Sequence, residues 1–235
     1  MKLAQESQMV GFQSRFLDFH RGIRVGNLGD HERITRILKV ELESRFQQSF
    51  VTERWGRGVY WRWIGYVVKA NKLAKPISSN VSFGCAKFFL MIDTDEQLFK
   101  CGLQVERGYL KKSDKSSRFN LETDWDWHRL IKLLRSNSPM EIELKRLVLR
   151  ESFILQAGSW SSKKSYFSKS NFPTMLHLRK KLKSAPEDEW ASFMVYFSMK
   201  EDEILQSSGN DIVDSILAIF EEVTPAMKLC IQTAL

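Results

Sequence analysis

Histidine and cysteine are scarce in this sequence. The 235 residues include 4 His and 3 Cys, without a CxxC pair or a Cys/His cluster. Structural zinc sites draw their ligands from such clusters, so we expect no structural metal and no cofactor. Cys85 and Cys101 fall in predicted strands, where reduced thiols pack as small hydrophobic groups. This cysteine usage indicates a reducing, cytoplasmic location.

The motifs of several common enzyme classes are also missing. No GxGxxG, GxxxxGK[ST] or GxSxG occurs, so neither a phosphate-binding glycine loop nor a nucleophile elbow is predicted. The histidines share no helical spacing and have no carboxylate partner that spacing identifies, which argues against a His-dependent catalytic triad. The sequence therefore favours a non-catalytic protein.

Long apolar runs and linker-like stretches are absent too. No run approaches the roughly 20 apolar residues that cross a bilayer, and residues 1–16 lack the apolar core of a signal peptide. We expect no membrane association. With 12 Gly and 5 Pro, no stretch has the composition of a linker, so we predict a single domain.

What the chain does contain is apolar and basic residues. A hydrophobic fraction of 43%, with 16 Phe and 7 Trp, indicates a folded protein. The net charge of +8 is divided unevenly, because residues 184–235 hold ten acidic and two basic residues, leaving +16 for residues 1–183. This asymmetry has two possible explanations. The basic body binds a nucleic acid or another polyanion, or the acidic C-terminal end folds back on the basic body and neutralises its charge.

Two apolar runs around the polar loop 93–97 predict an antiparallel hairpin. Apolar residues alternate with polar residues or glycine from 99 to 106, which is the period of a half-buried strand. Pairing Ile92 with Phe99 gives one unbroken apolar face, whereas a slip by one residue places Lys87 on it. This register also pairs Leu90 with Cys101, Phe88 with Leu103 and Ala86 with Val105. The opposite, mixed face is where a ligand or a covering helix would lie, and it carries Lys87, Phe89, Met91, Lys100, Gln104 and Glu106.

The segment 54–75 interleaves aromatic and basic residues. Its residues 59–68 predict a strand rich in aromatic and β-branched side chains. Bases of single strands stack on aromatic rings while arginine meets phosphate, so this pattern is typical of a nucleic-acid surface. The alternative is that the aromatic residues belong to the core. The predicted binding residues, with those of the basic loops that follow, are Arg54, Arg57, Arg62, Trp61, Lys111, Lys112, Lys115, Lys163 and Lys164.

The remaining periodicity predicts an α+β fold with a mainly antiparallel sheet covered by amphipathic helices. We divide it into a helical N-terminal region over residues 1–50, a sheet-containing core over 55–200 and a C-terminal helix over 210–235. Helices are predicted over 3–20, 30–48, 124–135, 173–183 and from Asn210, with Pro225 ending or kinking the last. Further strands are predicted over 191–199 and, as two short strands, over 140–156.

Glu143-Leu144-Lys145 resembles the E-x-K half of the PD-(D/E)xK nuclease signature. On a strand, residues i and i+2 project from the same face, which would bring the carboxylate and the ammonium together. The resemblance implies a divalent metal held by acidic side chains and a lysine that positions the attacking water. Asp93 is the candidate for the partner aspartate.

Three functional hypotheses follow. The first is a nucleic-acid-binding module or a subunit of a larger assembly, binding through the aromatic-basic strand and the basic loops. The second is a protein-interaction scaffold whose acidic C-terminal portion docks a partner protein. The third is the metal-dependent nuclease.

Overall fold

The computed structural model describes residues 11–74, 85–107, 126–159, 164–186 and 189–235. In these ranges nine strands form one antiparallel sheet. The strands are β1 (Leu17–Asp18), β2 (Gly22–Arg24), β3 (Phe50–Arg57), β4 (Tyr60–Val68), β5 (Lys87–Asp93), β6 (Leu98–Arg107), β7 (Ile154–Ser159), β8 (Ser165–Phe167) and β9 (Ala191–Lys200). Their order is β1-β2-β4-β5-β6-β9-β7-β8, and β3 pairs with β4 outside this path.

Seven α-helices accompany the sheet within the described ranges. They are α1 (Ile34–Phe46), α2 (Lys69–Leu73), α3 (Asp126–Leu133), α4 (Pro139–Lys145), α5 (Met175–Lys183), α6 (Glu201–Gln206) and α7 (Gly209–Cys230). A π-helical turn, Arg146–Arg150, extends α4. The predicted α+β fold with an antiparallel sheet is confirmed.

The predicted central hairpin is formed by β5 and β6 in the predicted register. Ile92 is paired with Phe99, and the pairing continues through Leu90–Cys101 and Phe88–Leu103. These side chains are buried in the main core, as the apolar face required. The register follows from burial, because a slip by one residue would place a lysine in that core.

Helices cover one face of the sheet, and α7 lies across its centre. Buried residues of α1 and of α3 to α7 form one core with alternate residues of the central strands. Phe220 of α7 stacks on Phe88 of β5 with ring centroids 4.8 Å apart. The opposite face of the sheet, called here the second face, carries a small apolar cluster of Phe89, Met194 and Tyr196.

The N-terminal prediction was wrong over the residues that the structure describes. Residues 11–20 form a 3-10 turn and β1 instead of the end of a helix, and β2 follows, so the sheet reaches outside the predicted core 55–200. The apolar residues Phe12, Phe16 and Phe19 are buried in the main core, although they do not lie on an α-helix. Spacing that fits a helical stripe loosely also fits a short, irregular segment pressed onto a core.

The strand prediction for residues 140–156 was wrong in its first half. Ser138 caps α4, since its hydroxyl accepts a hydrogen bond from the backbone N–H of Glu141 at 3.1 Å, and Pro139 occupies the first helical turn. Pro at this position and an N-cap serine are helix-start signals. The second half of the segment does enter a strand, β7.

Helix α7 has a different N-cap from the predicted one, and of the two alternatives predicted at Pro225, an end or a kink, the structure excludes the end. Its N-cap is Ser208, which exchanges hydrogen bonds with Asp211 in a capping box, and not Asn210. The helix also continues through Pro225 to Cys230. Thr224 donates a hydrogen bond to the carbonyl of Phe220 there, and the buried stripe on either side of Pro225 holds the helix on the sheet.

Candidate functional site

The aromatic-basic segment folds as the hairpin β3–β4, which extends beyond the central strands. Its two-residue loop is Gly58-Val59, and Gly58 has φ +65°, the left-handed region that favours glycine. A Cβ at Gly58 would meet no atom within 4 Å, so the loop itself is open. Residues 54–57 and Arg62 are exposed. The sequence therefore places its most aromatic and basic stretch at an exposed end of the sheet.

A β-bulge divides the hairpin. Trp55 is paired with Trp63, whereas the next residue, Gly56, is paired with Trp61, so Arg62 is the extra residue of β4. Past the bulge the side chains change faces. Trp63 packs with the cluster on the second face, and Trp61 packs against the main core beside its pairing partner Ile23. Sequence alternation alone places both tryptophans on one face.

Strand β2 and the turn before it bring two further arginines, Arg24 and Arg21, to this end of the sheet. Arg24 is paired with Tyr60 on one side, and Arg57 is paired with Tyr60 on the other. The Arg21 guanidinium lies over the Tyr60 ring at 4.3 Å and pairs with Asp18. Sequence analysis missed Arg21 and Arg24 because they precede the segment by about thirty residues. Only the pairing of β2 with β4 makes them neighbours.

The hairpin arginines are not neutralised within the described ranges of the chain. Arg54, Arg57 and Arg62 form no ion pair with any described residue, although Arg54 lies over the Trp61 ring at 4.3 Å. The one acidic residue of the segment 50–72 is Glu53. It accepts hydrogen bonds from Lys72 and Lys87, so it does not serve the hairpin arginines.

The three tryptophans of the hairpin differ in exposure. Trp61 is half-buried, with Arg54 over its ring. Trp63 donates a hydrogen bond to Gln104 at 2.7 Å, and the Lys87 ammonium lies 5.4 Å from its ring centre. Trp55 is 57% exposed. Of the predicted binding residues, Trp61 thus contributes mainly to packing, and the exposed tryptophan is one that the prediction did not choose.

The predicted basic loops are not brought to the hairpin by any described contact. Lys111, Lys112, Lys115 and Lys163 lie outside the described residues. Lys164 is exposed and precedes β8, which is at the opposite edge of the sheet. Four strands separate β4 from β8, a distance of roughly 24 Å at the usual strand spacing. Lys164 is therefore remote from the hairpin arginines.

The three residues of the nuclease hypothesis lie on separate elements with separate partners. Glu143 and Lys145 are on α4, where residues two apart point to different sides, so the strand geometry assumed for them was wrong. Glu143 pairs with Arg146 at 3.0 Å, Lys145 with Glu141 at 3.1 Å, and Asp93 with Lys100 at 2.7 Å. Among the described residues, no three His, Cys, Asp or Glu side chains form a group that would hold a metal ion.

The mixed face predicted for the central hairpin is buried and its charges are paired. Lys87 is 0% exposed, and its ammonium contacts Glu53 at 3.3 Å and Glu106 at 3.0 Å. Burial alone would lower the pKa of Lys87, but the carboxylates of Glu106 and Glu53 outweigh it and hold the pKa above its ordinary value. Nearby, Lys100 is 2% exposed and held by Asp93 and Glu96. These lysines are structural cations.

Some acidic residues of the C-terminal portion neutralise arginines elsewhere on the body. Glu221 of α7 pairs with Arg45 of α1, and Glu222 pairs with Arg146, which also donates to the backbone carbonyl of Glu222. At these two arginines, the acidic C-terminal end therefore does fold back on the basic body and neutralise its charge. It does not extend to the hairpin within the described residues.

Comparison with protein-family models and with curated protein sequences finds no match to this chain. Within the described ranges, no helix is both long enough and apolar enough to cross a membrane.

Proposed function

We propose that this protein binds nucleic acid through the exposed end of the β3–β4 hairpin. The proposal rests on one observation: some cations of the protein have carboxylate partners and the hairpin arginines do not, within the described residues. Buried lysines and the arginines near α7 have carboxylate partners, whereas Arg54, Arg57 and Arg62 have none among the described residues. A cluster of exposed, unpaired guanidinium groups is the kind of surface that phosphates neutralise.

The residue types support a phosphate ligand over an acidic protein. Arginine presents a planar fork of donors that matches phosphate oxygens, and Arg57 and Arg24 flank Tyr60 across three adjacent strands. An anionic backbone that follows this row would contact cations from β2 and β3 together. Such contacts recognise the backbone and not the sequence, so we expect affinity with little sequence preference.

The decisive experiment is fluorescence anisotropy with short labelled single strands and duplexes of DNA and RNA over a range of salt concentrations. Binding should weaken steeply with salt, with a log–log slope of about −0.7 for each phosphate contact on a single strand. The double variant Arg57→Glu/Arg62→Glu should bind about tenfold or more weakly and show a shallower salt dependence.

The matched control is Arg135→Glu/Lys169→Glu. Both residues are exposed and lie in turns away from the hairpin, and the variant changes the net charge by the same amount. If the control weakens binding as much as the hairpin variant, the protein attracts polyanions through its overall charge and the hairpin is not the site. If wild type binds none of the probes at low salt, the proposed function is wrong.

A further inference from the structure

We infer that the ligand of the hairpin is single-stranded and that one of its bases stacks on Trp55. The inference rests on the proposed function, and it identifies both the class of nucleic acid and a binding residue that the sequence pattern did not single out. Charge alone does not distinguish a single strand from a duplex. An exposed aromatic ring does, since it binds a base face that a duplex keeps inside its own stack.

Trp55 is the hairpin tryptophan with most of its surface exposed. The Trp61 ring is covered by Arg54 and packs against the core, and the Trp63 indole is fixed by its hydrogen bond to Gln104. Trp55 is 57% exposed, which is unusual for so large an apolar side chain. Trp55 therefore buries less of its surface than Trp61 and Trp63 do, and it contributes less to the stability of the core. Stacking with a base of a bound ligand would give this exposed ring a function.

Two glycines, Gly56 and Gly58, follow Trp55 at the end of the hairpin. Gly56 follows it with φ +144°, and a Cβ there would lie 2.7 Å from the Trp61 Cα, so a side chain is excluded on the main-core side. Gly58 adds no side chain at the loop. The residue after Trp55 on the same strand face is Arg57, about 7 Å along β3 at the usual rise per residue.

That spacing places an aromatic ring and a guanidinium next to each other on one face. Trp55 is paired with Trp63 on the second face, and Arg57 shares this face through its pairing with Tyr60. A splayed base on Trp55 would therefore leave its own backbone phosphate beside Arg57 and the neighbouring Arg24. Duplex bases cannot reach the ring without unstacking, so a duplex should bind through its phosphates alone.

The test compares Trp55→Ala with wild type on three labelled probes: a single-stranded oligonucleotide, an abasic strand with the same number of phosphates, and a duplex of the same length. Wild type should prefer the base-bearing strand to the abasic strand. Trp55→Ala should weaken binding of the base-bearing strand by about tenfold, the usual effect of removing one stacking platform, and leave the abasic strand unchanged. Trp55→Phe should restore most of the affinity.

The control for a general loss of exposed aromatic surface is Tyr166→Ala, which removes a 43% exposed residue at the opposite edge of the sheet. Far-UV circular dichroism checks that each variant is folded. Equal binding of base-bearing and abasic strands, or equal loss for both in Trp55→Ala, overturns the stacking inference while leaving polyanion binding at the hairpin intact. Absence of binding by wild type to all three probes would overturn the proposed function as well.

Discussion

The centre of the sheet and its hairpin end differ in whether their positively charged side chains are buried and paired with carboxylates. At the centre, Lys87 and Lys100 are buried on the second face, and each ammonium is held between two carboxylates. At the hairpin end, Arg57 and Arg62 are exposed and pair with no described carboxylate. A buried cation requires compensation because desolvation is costly, whereas an exposed cation is compensated by water until an anion arrives.

This contrast separates residues that stabilise the fold from residues that are available for a ligand. The sequence contains both kinds within the segment 54–107, interleaved with aromatic residues in both cases. Net charge therefore says little about binding here. The relevant property is whether the structure supplies each cation with a carboxylate.

The largest expected effect is that of Lys87→Ala. Removing the ammonium leaves Glu106 without its lysine and Glu53 with Lys72 alone, in a largely buried site, so we expect the free energy of unfolding to fall by about 3–5 kcal/mol. Urea unfolding followed by tryptophan fluorescence measures this. The triple variant Lys87→Met/Glu53→Gln/Glu106→Gln should regain some of the loss, because it removes the uncompensated charges. A single variant as stable as wild type would mean that the central lysine is not a structural cation.

A smaller, pH-dependent effect is expected at Asp93. Burial alone would raise its pKa, but the hydrogen bond from Lys100 and the backbone N–H groups of Glu96 and Asp95 outweigh it and lower the pKa below the ordinary 3.8. The carboxylate thus contributes stability that is present above pH 3.8 and is lost as the pH falls through the lower pKa of the folded state. Asp93→Asn should reduce stability at pH 7 by an amount on the order of 1 kcal/mol.

Below that pH window the difference between the variant and wild type should disappear. Urea titrations from neutral pH down to well below the ordinary pKa of an aspartate test this sign. A difference that grows as the pH falls would contradict the assignment of the Lys100–Asp93 pair as a stabilising contact.

The smallest expected effect on stability is that of Arg57→Glu/Arg62→Glu. Neither guanidinium is buried or paired within the described chain, so the free energy of unfolding should change by less than about 0.5 kcal/mol, in contrast to the weakening of binding expected for the same variant. Thermal and urea unfolding of the same preparation used for binding gives the comparison directly. A large destabilisation would show that these arginines serve the fold, which would remove the distinction drawn between the two regions.

Much of the fold could be predicted from local patterns. The register of β5 and β6 follows from alternation, since only one alignment keeps Lys87 out of the apolar face. The helix predicted over 124–135 is present as α3, where Trp127 and Leu130 are buried, and the strand predicted over 191–199 is present as β9. The prediction for segment 140–156 was wrong in its first half because short apolar spacings fit both a helix and a strand, although Ser138-Pro139 is a helix-start signal.

Only some residues of the candidate site could be predicted from the sequence. The composition of segment 54–75 pointed to the hairpin and to Arg57 and Arg62. It could not show which tryptophan is exposed, because the bulge at Arg62 moves Trp61 to the core side, whereas Trp55 is 57% exposed. A bulge is set by how three strands fit together and leaves no clear signal in one strand.

The sequence by itself determined the fold class, the central hairpin and the uneven distribution of charge, because these depend on local periodicity and composition. Only the tertiary structure decided which cations are buried between carboxylates, which have no carboxylate partner in the described part of the chain, and that Arg24 and Arg57 flank Tyr60. The physical reason is that burial and ion pairing depend on residues far apart in the chain. Glu53, Lys87 and Glu106 become one charged group only when β3, β5 and β6 lie in the same sheet.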